Sequence, residues 1–393
     1  MDGARPERTT MDKKVTITCP CLFGLESVLS FEVKKLGGEN ITVSDGRVTF
    51  EGNLAMVAKA NIWLRTAERV GIVIGKFRAE TFTELFDGTA ALPWEDFIGV
   101  DDQFPVKGWS RNSKLFSMSD CQSIIKRAIV RRFENVYHKE IFAETGAIYQ
   151  VQFSILKDTV TLLLDTTGAG LHKRGYRANA NEAPIKETIA AGIVDLARVR
   201  GDSLVYDPMC GSGTIVIEAA LKALNIAPGI RRRFAAQSWK CFQNGVFDEV
   251  RREASAQVRR DAVFEAFASD IDPEAVCLTR ENAAKAGVAG RIHVRQADIK
   301  DFAPEIPEGR RGVLITNPPY GERLLAASEA EEICRTMGQV FPQRDDLGYY
   351  IISPHDDFEG VFGREAVRRR KLYNGMIKCQ VYMYFNSRHG EKA

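Results

Sequence analysis

The chain has 393 residues, with 54 Lys and Arg against 52 Asp and Glu, and therefore a formal charge of +2. A hydrophobic share of 45% and a charged share of 27% are typical of globular proteins and exclude disordered, collagen-like and coiled-coil chains. No run of about 18 uncharged apolar residues predicts a membrane helix, and the charged start MDGARPERTTMDKK lacks the apolar core of a secretion signal. We therefore expect a cytoplasmic protein without a membrane partner, with two or three domains at roughly 150 residues each.

The cysteines and histidines show no metal-binding pattern. Of the eight cysteines only Cys19 and Cys21 are close together, and no second pair answers them. The five histidines also lack ligand spacing. We therefore predict no metal site, and free thiols.

The N-terminal part of the chain predicts two small α/β units. A strand, a helix, a hairpin at Asp45-Gly46 and a second helix follow one another over residues 13–20, 24–36, 41–50 and 54–64. This order predicts a ferredoxin-like unit over residues 1–64. A second unit, residues 65–165, has predicted strands at 70–76, 102–106, 149–153 and 159–165 and helices at 83–91 and 119–133. Residues 166–183, rich in Gly, Ala and Asn, predict a linker.

A local excess of positive charge lies in the second unit. Between residues 107 and 139, eight basic residues face only Asp120 and Glu134, a local charge of +6. The eight are Lys107, Arg111, Lys114, Lys126, Arg127, Arg131, Arg132 and Lys139. A charge run is often only a solvated face, but a basic helix beside Trp109 also suits a surface that follows a phosphate backbone. The charge alone does not distinguish nucleic acid from another polyanion.

From residue 184 to residue 393, strands alternate with helices, which predicts a parallel sheet with helices on both faces. Asn374-Gly375 between two strand-like runs adds an antiparallel hairpin at one edge. Residues 225–264 form a long connection with three consecutive arginines, whereas such connections usually have about 2–6 residues. An extra helical cover and a lid or RNA contact explain this insertion equally well.

The first chemical motif is DPMCGSGT, residues 207–214, between the apolar strand SLVY and a helix. Its glycines let the backbone approach a ligand at the carboxyl end of the strand, and the start of the helix offers free N–H groups. The motif is not a P-loop, because no Gly-Lys-Ser/Thr follows, and the third glycine of GxGxxG is absent. Asp207 would repel a pyrophosphate and suits a cationic ligand.

Carboxylates end the next two predicted strands, Asp270 in SDIDP and Asp298 in QAD. The first can accept hydrogen bonds from both ribose hydroxyls of a nucleoside, and the second from an adenine amino group. Each could instead cap a helix. For Asp272, before Pro273, capping is as good an explanation as ligand contact, whereas Asp270 and Asp298 together favour a ligand.

The fourth motif is Asn317-Pro318-Pro319-Tyr320-Gly321, after the strand VLIT. The prolines fix a rigid backbone and have no N–H groups. The Asn317 amide oxygen and the Pro318 carbonyl can then accept both hydrogens of an exocyclic amino group, which stabilises the positive charge that develops on its nitrogen during attack. Tyr320 can stack on a planar base.

In this order, DPMCGSGT, SDIDP, QAD and NPPYG resemble the motifs of class I S-adenosylmethionine-dependent amino-methyltransferases. LHKRGYR, EAPIKETIAAGIV, NIAPG and KLYNGMIKC extend the resemblance to the THUMP-domain RNA guanine-N2-methyltransferases, of the type that modifies bacterial 23S rRNA. GLESVLSFEVKKLGG and DGRVTFEG carry it, less specifically, into the N-terminal half. The resemblance implies an α/β fold in which a Rossmann-like sheet with a hairpin edge follows a ferredoxin-like unit and a THUMP domain.

The resemblance also implies S-adenosylmethionine as cofactor, RNA as partner and a set of site residues. The implied cofactor residues are Asp207, Pro208, Cys210, Gly211, Ser212, Gly213, Thr214, Asp270, Ile271, Asp298, Ile299 and Asn317, with Pro184, Lys186 and Thr188 towards the amino-acid end. The implied catalytic residues are Asn317, Pro318, Pro319 and Tyr320. The RNA-binding candidates are Lys107, Arg111, Lys114, Lys126, Arg127, Arg131, Arg132, Lys173, Arg174 and Arg177.

The predicted activity is methylation of the exocyclic N2 of a guanine in RNA, with 23S rRNA preferred to tRNA. An N6-adenine methyltransferase would share DPMCGSGT and NPPY, but the THUMP-like module argues against DNA. A protein glutamine methyltransferase and a non-catalytic RNA-binding protein are lesser alternatives. Neither the target nucleotide nor the oligomeric state follows from the sequence.

Overall fold

The computed structural model describes residues 13–177, 184–243, 245–320, 327–375 and 377–385. The chain forms two compact units that do not follow its order. The first unit contains the chain up to Pro20, Ser30–Leu171 and Arg233–Arg252. The second contains Cys21–Leu29, His172–Arg232 and the chain from Glu253 onward. Among the residues described, no helix is long and apolar enough to cross a membrane.

The first unit contains a seven-stranded sheet with the order β2-β3-β1-β4-β7-β6-β5. Its strands are β1 (Val15–Pro20), β2 (Glu39–Ser44), β3 (Arg47–Gly52), β4 (Gly71–Arg78), β5 (Val106–Arg111), β6 (Gln150–Leu156) and β7 (Thr159–Asp165). Its helices are α1 (Glu26–Leu36), α2 (Leu54–Trp63), α3 (Phe82–Ala90) and α4 (Met118–Tyr137), of which α1 begins among residues of the second unit. The predicted helices and hairpin are confirmed.

The strand predicted over residues 102–106 is wrong, because β5 begins at Val106. Asp102 lies in a loop, where its carboxylate accepts hydrogen bonds from the Gly99 and Ala147 amides at 2.8 and 2.9 Å. Pro105 has no N–H to donate to a neighbouring strand. As a result Lys107 and Arg111 lie on a strand at the edge of the sheet, parallel to β6.

The second unit contains a sheet with the order β10-β9-β8-β11-β12-β14-β13. Its strands are β8 (Leu204–Asp207), β9 (Glu265–Asp270), β10 (Ile292–Gln296), β11 (Gly312–Thr316), β12 (Leu347–Ser353), β13 (Arg368–Asn374) and β14 (Ile377–Tyr384). Its helices are α5 (Glu187–Leu196), α6 (Thr214–Ala223), α7 (Val246–Ala256, which begins in the first unit), α8 (Pro273–Ala286), α9 (Ala327–Val340) and α10 (Phe358–Phe362). β8 to β12 pair in parallel, and β14 pairs antiparallel with β12 and β13. The predicted hairpin edge is confirmed.

The register of the parallel strands brings the motifs to one edge of this sheet. Tyr206 of β8 pairs with Phe267 of β9 and with Leu314 of β11. The residues that follow, DPMCGSGT, DIDP and NPPY, therefore leave the sheet at neighbouring strand ends. Ligands of open α/β sheets bind at this carboxyl edge, where the strand order reverses.

The segment Cys21–Leu29 completes the core of the second unit. Leu25 is fully buried in the same hydrophobic cluster as Ile189 and Val381. The Arg370 guanidinium donates hydrogen bonds to the Gly24 carbonyl and to Ser27 Oγ, both at 2.6 Å. The sequence pattern assigned this segment to the ferredoxin-like unit, and only the packing assigns it here.

Part of the insertion packs as a cover on the first unit. The Trp239 ring is fully buried and stacks on Tyr149 with 4.4 Å between ring centroids. Its Nε1 donates a hydrogen bond to the Ile148 carbonyl at 2.9 Å. Phe242 and Phe247 extend this aromatic contact. For Arg233–Arg252 the structure therefore favours the extra cover over a lid.

Candidate active site

The loop between β8 and α6 is held in a conformation that glycine favours. Gly211 and Gly213 have φ angles of +53° and +80°. A Cβ on Gly213 would lie 2.7 Å from Thr279 Cγ2, whereas a Cβ on Gly211 would meet no atom within 4 Å in the described structure. Gly213 is the N-cap of α6 and has no side chain to accept hydrogen bonds from the first helical amides. These amides can therefore bind an anionic group of a ligand.

Asp207 ends β8 as a buried carboxyl group. Its Oδ1 accepts a hydrogen bond from Thr316 Oγ1 at 2.9 Å, and this bond joins the ends of β8 and β11. Burial raises the pKa of Asp207 to about 7, although the bond from Thr316 opposes the rise. A buried carboxylate is stabilised by a cation, so Asp207 suits the ammonium group of an amino-acid ligand.

Two side chains of helix α8 hold the loop through hydrogen bonds to its backbone carbonyls. Thr279 Oγ1 donates to the Gly211 carbonyl at 2.8 Å, and Asn282 Nδ2 donates to the Ser212 carbonyl at 2.9 Å. Both side chains are buried. The sequence analysis missed these two residues and Thr316. Their signal was weak, since polar residues three positions apart on an otherwise apolar helix face also occur without function.

The carboxylates at the strand ends, Asp270 and Asp298, accept hydrogen bonds from backbone amides. Asp270 Oδ2 accepts from the Gly211 amide at 2.8 Å, and its Oδ1 accepts from the Asp272 amide at 3.1 Å. Asp272 caps α8 through the Glu274 amide, so capping accounts for it. Asp298 also caps a short helix, Ile299–Asp301, through Lys300 N. Each oxygen of Asp270 and Asp298 retains a lone pair for a ligand hydroxyl or amino group. Beside them, the Ile271 side chain is 66% exposed, as an apolar contact for a ligand ring would be.

The end of β11 holds an acceptor without a donor. Asn317 Oδ1 is buried and accepts no hydrogen bond from the part of the chain that the structure describes. Pro318 follows it and is buried. A buried unpaired amide oxygen costs roughly 1–3 kcal/mol. A ligand that donates a hydrogen bond, such as one with an amino group, would satisfy this acceptor.

Tyr320 is anchored by its hydroxyl group to the β13–β14 hairpin. Asn374 Nδ2 donates to Tyr320 Oη at 3.0 Å, and the Cys379 thiol donates to the same atom at 3.7 Å. Burial is the main cause that raises the pKa of this phenol above its usual value. The hairpin motif KLYNGMIKC therefore fixes the orientation of the aromatic ring of NPPY. Pro319 is half-buried, and Gly321 lies outside the described residues.

Arg177, one of the RNA-binding candidates, contacts the start of α6. Its guanidinium donates to Thr214 Oγ1 at 3.2 Å, to the Ile185 carbonyl at 3.0 Å and to Glu187 Oε2 at 2.8 Å. Glu187 is buried, and Thr188 is fully buried. Arg177 therefore braces the first residue of α6, and its role as an RNA contact stays a prediction.

Comparison with known proteins identifies the family. A model of an RMKL-like methyltransferase domain matches residues 174–383, which is more than half of the chain. The chain belongs to this RMKL-like methyltransferase family. A model of the RlmL ferredoxin-like domain matches residues 16–71, and a THUMP model matches residues 79–165. The predicted family and fold class are confirmed.

The curated relatives of this methyltransferase include YpsC of Bacillus subtilis (strain 168), which is provisionally named an RNA methyltransferase. It is 42% identical over 376 residues, 95% of this chain and 97% of YpsC. The ribosomal RNA large subunit methyltransferase K/L of Psychromonas ingrahamii is 35% identical over 374 residues. That match covers 93% of this chain but only 49% of the relative, so the chain spans about half of that protein.

Solved structures resemble the methyltransferase over nearly its whole length. SMU.472, provisionally called a methyltransferase and crystallised with SAH, has a TM-score of 0.90 and 39% identity, covering 96% of this chain and all of SMU.472. A protein of Listeria monocytogenes, predicted to be an N6-adenine-specific DNA methylase, has a TM-score of 0.90 and 42% identity, covering 98% and 99%. S-adenosylmethionine is the cofactor of this methyltransferase. The buried Asp207, the open side of Gly211 and the uncapped start of α6 fit its amino-acid end.

Arg174 of the methyltransferase is buried and therefore cannot contact RNA as predicted. Its Nε lies 3.3 Å from Glu218 Oε1, and both side chains are almost inaccessible to solvent. Tyr176 Oη donates to the same carboxylate oxygen at 3.1 Å. Lys173, between these residues and the first unit in sequence, is exposed. Of the LHKRGYR residues predicted to bind RNA, only Lys173 presents its charge to solvent.

The predicted basic cluster is partly neutralised by carboxylates distant in sequence. Lys114 pairs with Glu80, and Arg132 with Glu95. Lys126 Nζ lies 2.6 Å from Glu144 and also covers the Phe104 ring. Arg131 pairs with Glu134 at 3.1 Å. The local charge of +6 counted along the sequence therefore overstates the free charge in space, and Lys114, Lys126 and Arg132 are weaker RNA-binding candidates than predicted.

Proposed function

We propose that this methyltransferase transfers a methyl group to the exocyclic N2 of a guanine in RNA, with 23S rRNA as the preferred substrate. The observation that carries the proposal is the buried, unpaired Asn317 Oδ1 at the end of β11. An exocyclic amino group supplies the missing hydrogen-bond donor. The family resemblance supports guanine as the base, and the name of the Psychromonas relative supports ribosomal RNA. The proposed domain limits along the chain are 1–64, 65–165, 166–183 and 184–393, apart from Cys21–Leu29 and Arg233–Arg252, which pack in the other unit.

The bound cofactor supplies an electrophilic methyl group. The residues of the chain hold and orient the nucleophile. Asn317 Oδ1 and the Pro318 carbonyl accept the two amino hydrogens, and these bonds strengthen as the nitrogen becomes positive. Tyr320 stacks on the base, which must leave its own stack to reach the site. The proton is lost to water after transfer, so no strong general base is required.

For the cofactor, we propose that Asp207 binds its ammonium group and the first amides of α6 bind its carboxylate. Asp270 would accept hydrogen bonds from the ribose hydroxyls, and Asp298 one from the adenine amino group. Ile271 and Ile299 flank the adenine in this proposal. Pro208, Cys210, Ser212 and Thr214 shape the loop.

The proposal is tested by incubating the protein with S-adenosylmethionine labelled in the methyl group and total RNA that lacks modifications. Nucleosides from the digested RNA are then identified by mass spectrometry. Label in N2-methylguanosine is expected, and sizing the labelled RNA separates rRNA from tRNA. Label in N6-methyladenosine would overturn the choice of base. Label in DNA or protein alone would overturn RNA as the substrate.

The role of Asn317 has its own test. Asn317→Ala should lower kcat about 100-fold or more, the cost of removing one aimed transition-state hydrogen bond, while the affinity for SAH stays within a few-fold. Asn317→Asp keeps acceptor oxygens and should retain more activity than the alanine variant. Near-normal turnover of Asn317→Ala would contradict the assigned role.

A further inference from the structure

One face of the sheet in the first unit exposes an aromatic residue between cations. Along β5, exposure alternates, so that Lys107, Trp109 and Arg111 are exposed while the residues between them are half-buried. The Trp109 side chain is 42% exposed. In contrast, Trp94 and Trp239 are fully buried. An indole left this open on a strand is unusual for a residue that serves only the core.

The exposed triplet lies on the face that the helices do not cover. Phe153 and Ile155 of β6 are buried, and they align with Gly108 and Ser110 of β5. Helix α4 buries Ile125 and Ile129, and it contacts β5. The side chains on the other face of β6 include Leu156, which is 44% exposed and pairs with Arg111. Lys107, Trp109 and Arg111 therefore point away from α4, and Arg127 and Arg131 on α4 lie on the opposite side of the sheet.

This face also carries free positive charge. Within the described ranges, Lys107 and Arg111 have no carboxylate at ion-pair distance, unlike Lys114, Lys126 and Arg132. Lys76 of β4 is exposed and unpaired as well. It belongs to the same cross-strand row as Trp109, through Thr161 of β7 and Ser154 of β6. Lys107 and Arg111 thus flank the indole on its own strand, and Lys76 lies about 14 Å away on the same face, three strand spacings of about 4.8 Å across the sheet.

We propose that this face, defined by Lys76, Lys107, Trp109 and Arg111 and called here the β5 face, binds single-stranded RNA. A base stacks on Trp109, and neighbouring phosphates contact the three cations. Residues two apart on a strand are separated by about 6.6 Å, so Lys107 and Arg111 flank the indole on both sides. A duplex buries its base faces and offers Trp109 nothing to stack on. The inference rests on the proposed RNA substrate and specifies which surface holds it and in which form.

The test compares two double variants with the same change of charge on opposite faces of the sheet. Binding of a fluorescein-labelled single-stranded RNA of mixed sequence is measured by anisotropy at several salt concentrations. Lys107→Ala/Arg111→Ala should lower the slope of log K against log salt by about 1.4, two phosphate contacts at about 0.7 each. Arg127 and Arg131 were RNA-binding candidates from the sequence, but this proposal places them off the RNA-binding face. Arg127→Ala/Arg131→Ala should therefore leave affinity and slope within the error of the wild type.

Stacking is tested separately through Trp109. Trp109→Ala should weaken binding about 10-fold, within the range for one stacked base, whereas Trp109→Phe should retain most of the affinity. RNA should quench tryptophan fluorescence in the wild type but not in Trp109→Phe, a change that a purely structural role would not produce. Tighter binding of the duplex, equal losses from the two double variants, or no quenching would overturn the proposal. If one of these contrary outcomes is found and the wild type still methylates RNA, the role of the β5 face is refuted but the proposed function stands.

Discussion

Replacing Asp207 by asparagine should stabilise the protein at neutral and alkaline pH while it weakens cofactor binding. The pKa of Asp207 is about 7 in the folded protein, against an ordinary 3.8. The unfolded chain therefore ionises this group from about pH 4, whereas the folded chain keeps it protonated to about pH 7. Because the folded state binds the extra proton in this interval, stability is lost as pH rises through it, and it levels off above.

The magnitude follows from about 1.36 kcal/mol for each pKa unit. Relative to its value at low pH, the free energy of unfolding is therefore lower by about 1.6 kcal/mol at pH 5 and by about 4 kcal/mol above pH 7, where Asp207 is ionised in its buried site. Asp207→Asn keeps the Oδ1 acceptor for Thr316 but never ionises. Its stability advantage over the wild type should therefore grow by about 3 kcal/mol between pH 5 and pH 8, roughly 5–10 °C in Tm.

The assay is thermal unfolding of the cofactor-free protein at pH 5, 6, 7 and 8, with SAH affinity measured by calorimetry at pH 7.5. Asp202→Asn, at an exposed position before β8, is the control and should show a difference from the wild type that does not change with pH. Asp207→Asn should bind SAH roughly 10–100-fold more weakly, the loss of a charge-assisted hydrogen bond. A pH-independent difference in Tm would refute the argument from burial, and unchanged SAH affinity would refute the ammonium contact.

Three further substitutions test the surroundings of the site. Arg177→Met should raise the KM for S-adenosylmethionine about 10-fold, a loss typical of a charge-assisted hydrogen bond, and should leave RNA affinity unchanged. An unchanged KM with weaker RNA binding would instead support Arg177 as an RNA contact. Tyr320→Phe and Asn374→Ala should each lower kcat several-fold. Both remove the hydrogen bond between Asn374 and Tyr320, so the double variant should be no slower than either single variant. Additive losses in kcat would show that the two residues act independently. Arg174→Met should cost about 3–5 kcal/mol of stability, because the buried Glu218 carboxylate is left without a cation. Arg174→Met/Glu218→Gln should recover most of this loss, as measured by Tm.

Local chemistry explains why so much of the second unit could be predicted. DPMCGSGT, SDIDP, QAD and NPPYG each stand where an apolar strand ends, and the alternation of strands and helices requires parallel pairing. Parallel strands bring their carboxyl ends to one edge, so the motifs had to meet. Asp272 was predicted as a cap or a ligand, and α8 decides for the cap.

The basic cluster shows where sequence patterns fail. Counting charge over residues 107–139 includes only partners that are near in sequence. Glu80 and Glu95 lie before this window and Glu144 after it, and the fold brings them to Lys114, Arg132 and Lys126. Because β5 begins at Val106, Lys107 and Arg111 lie on a strand, apart from the basic residues of α4.

The sequence by itself determined the family, the order of strands and helices and the cofactor, because each depends on short stretches of residues in a fixed conformation. Only the tertiary structure decided that Cys21–Leu29 completes the second unit, that Arg233–Arg252 covers the first, and that Arg174 and Arg177 are internal braces. These outcomes depend on contacts between residues distant in the chain. A side chain is buried or exposed according to what packs against it, and its own neighbours in sequence do not specify that.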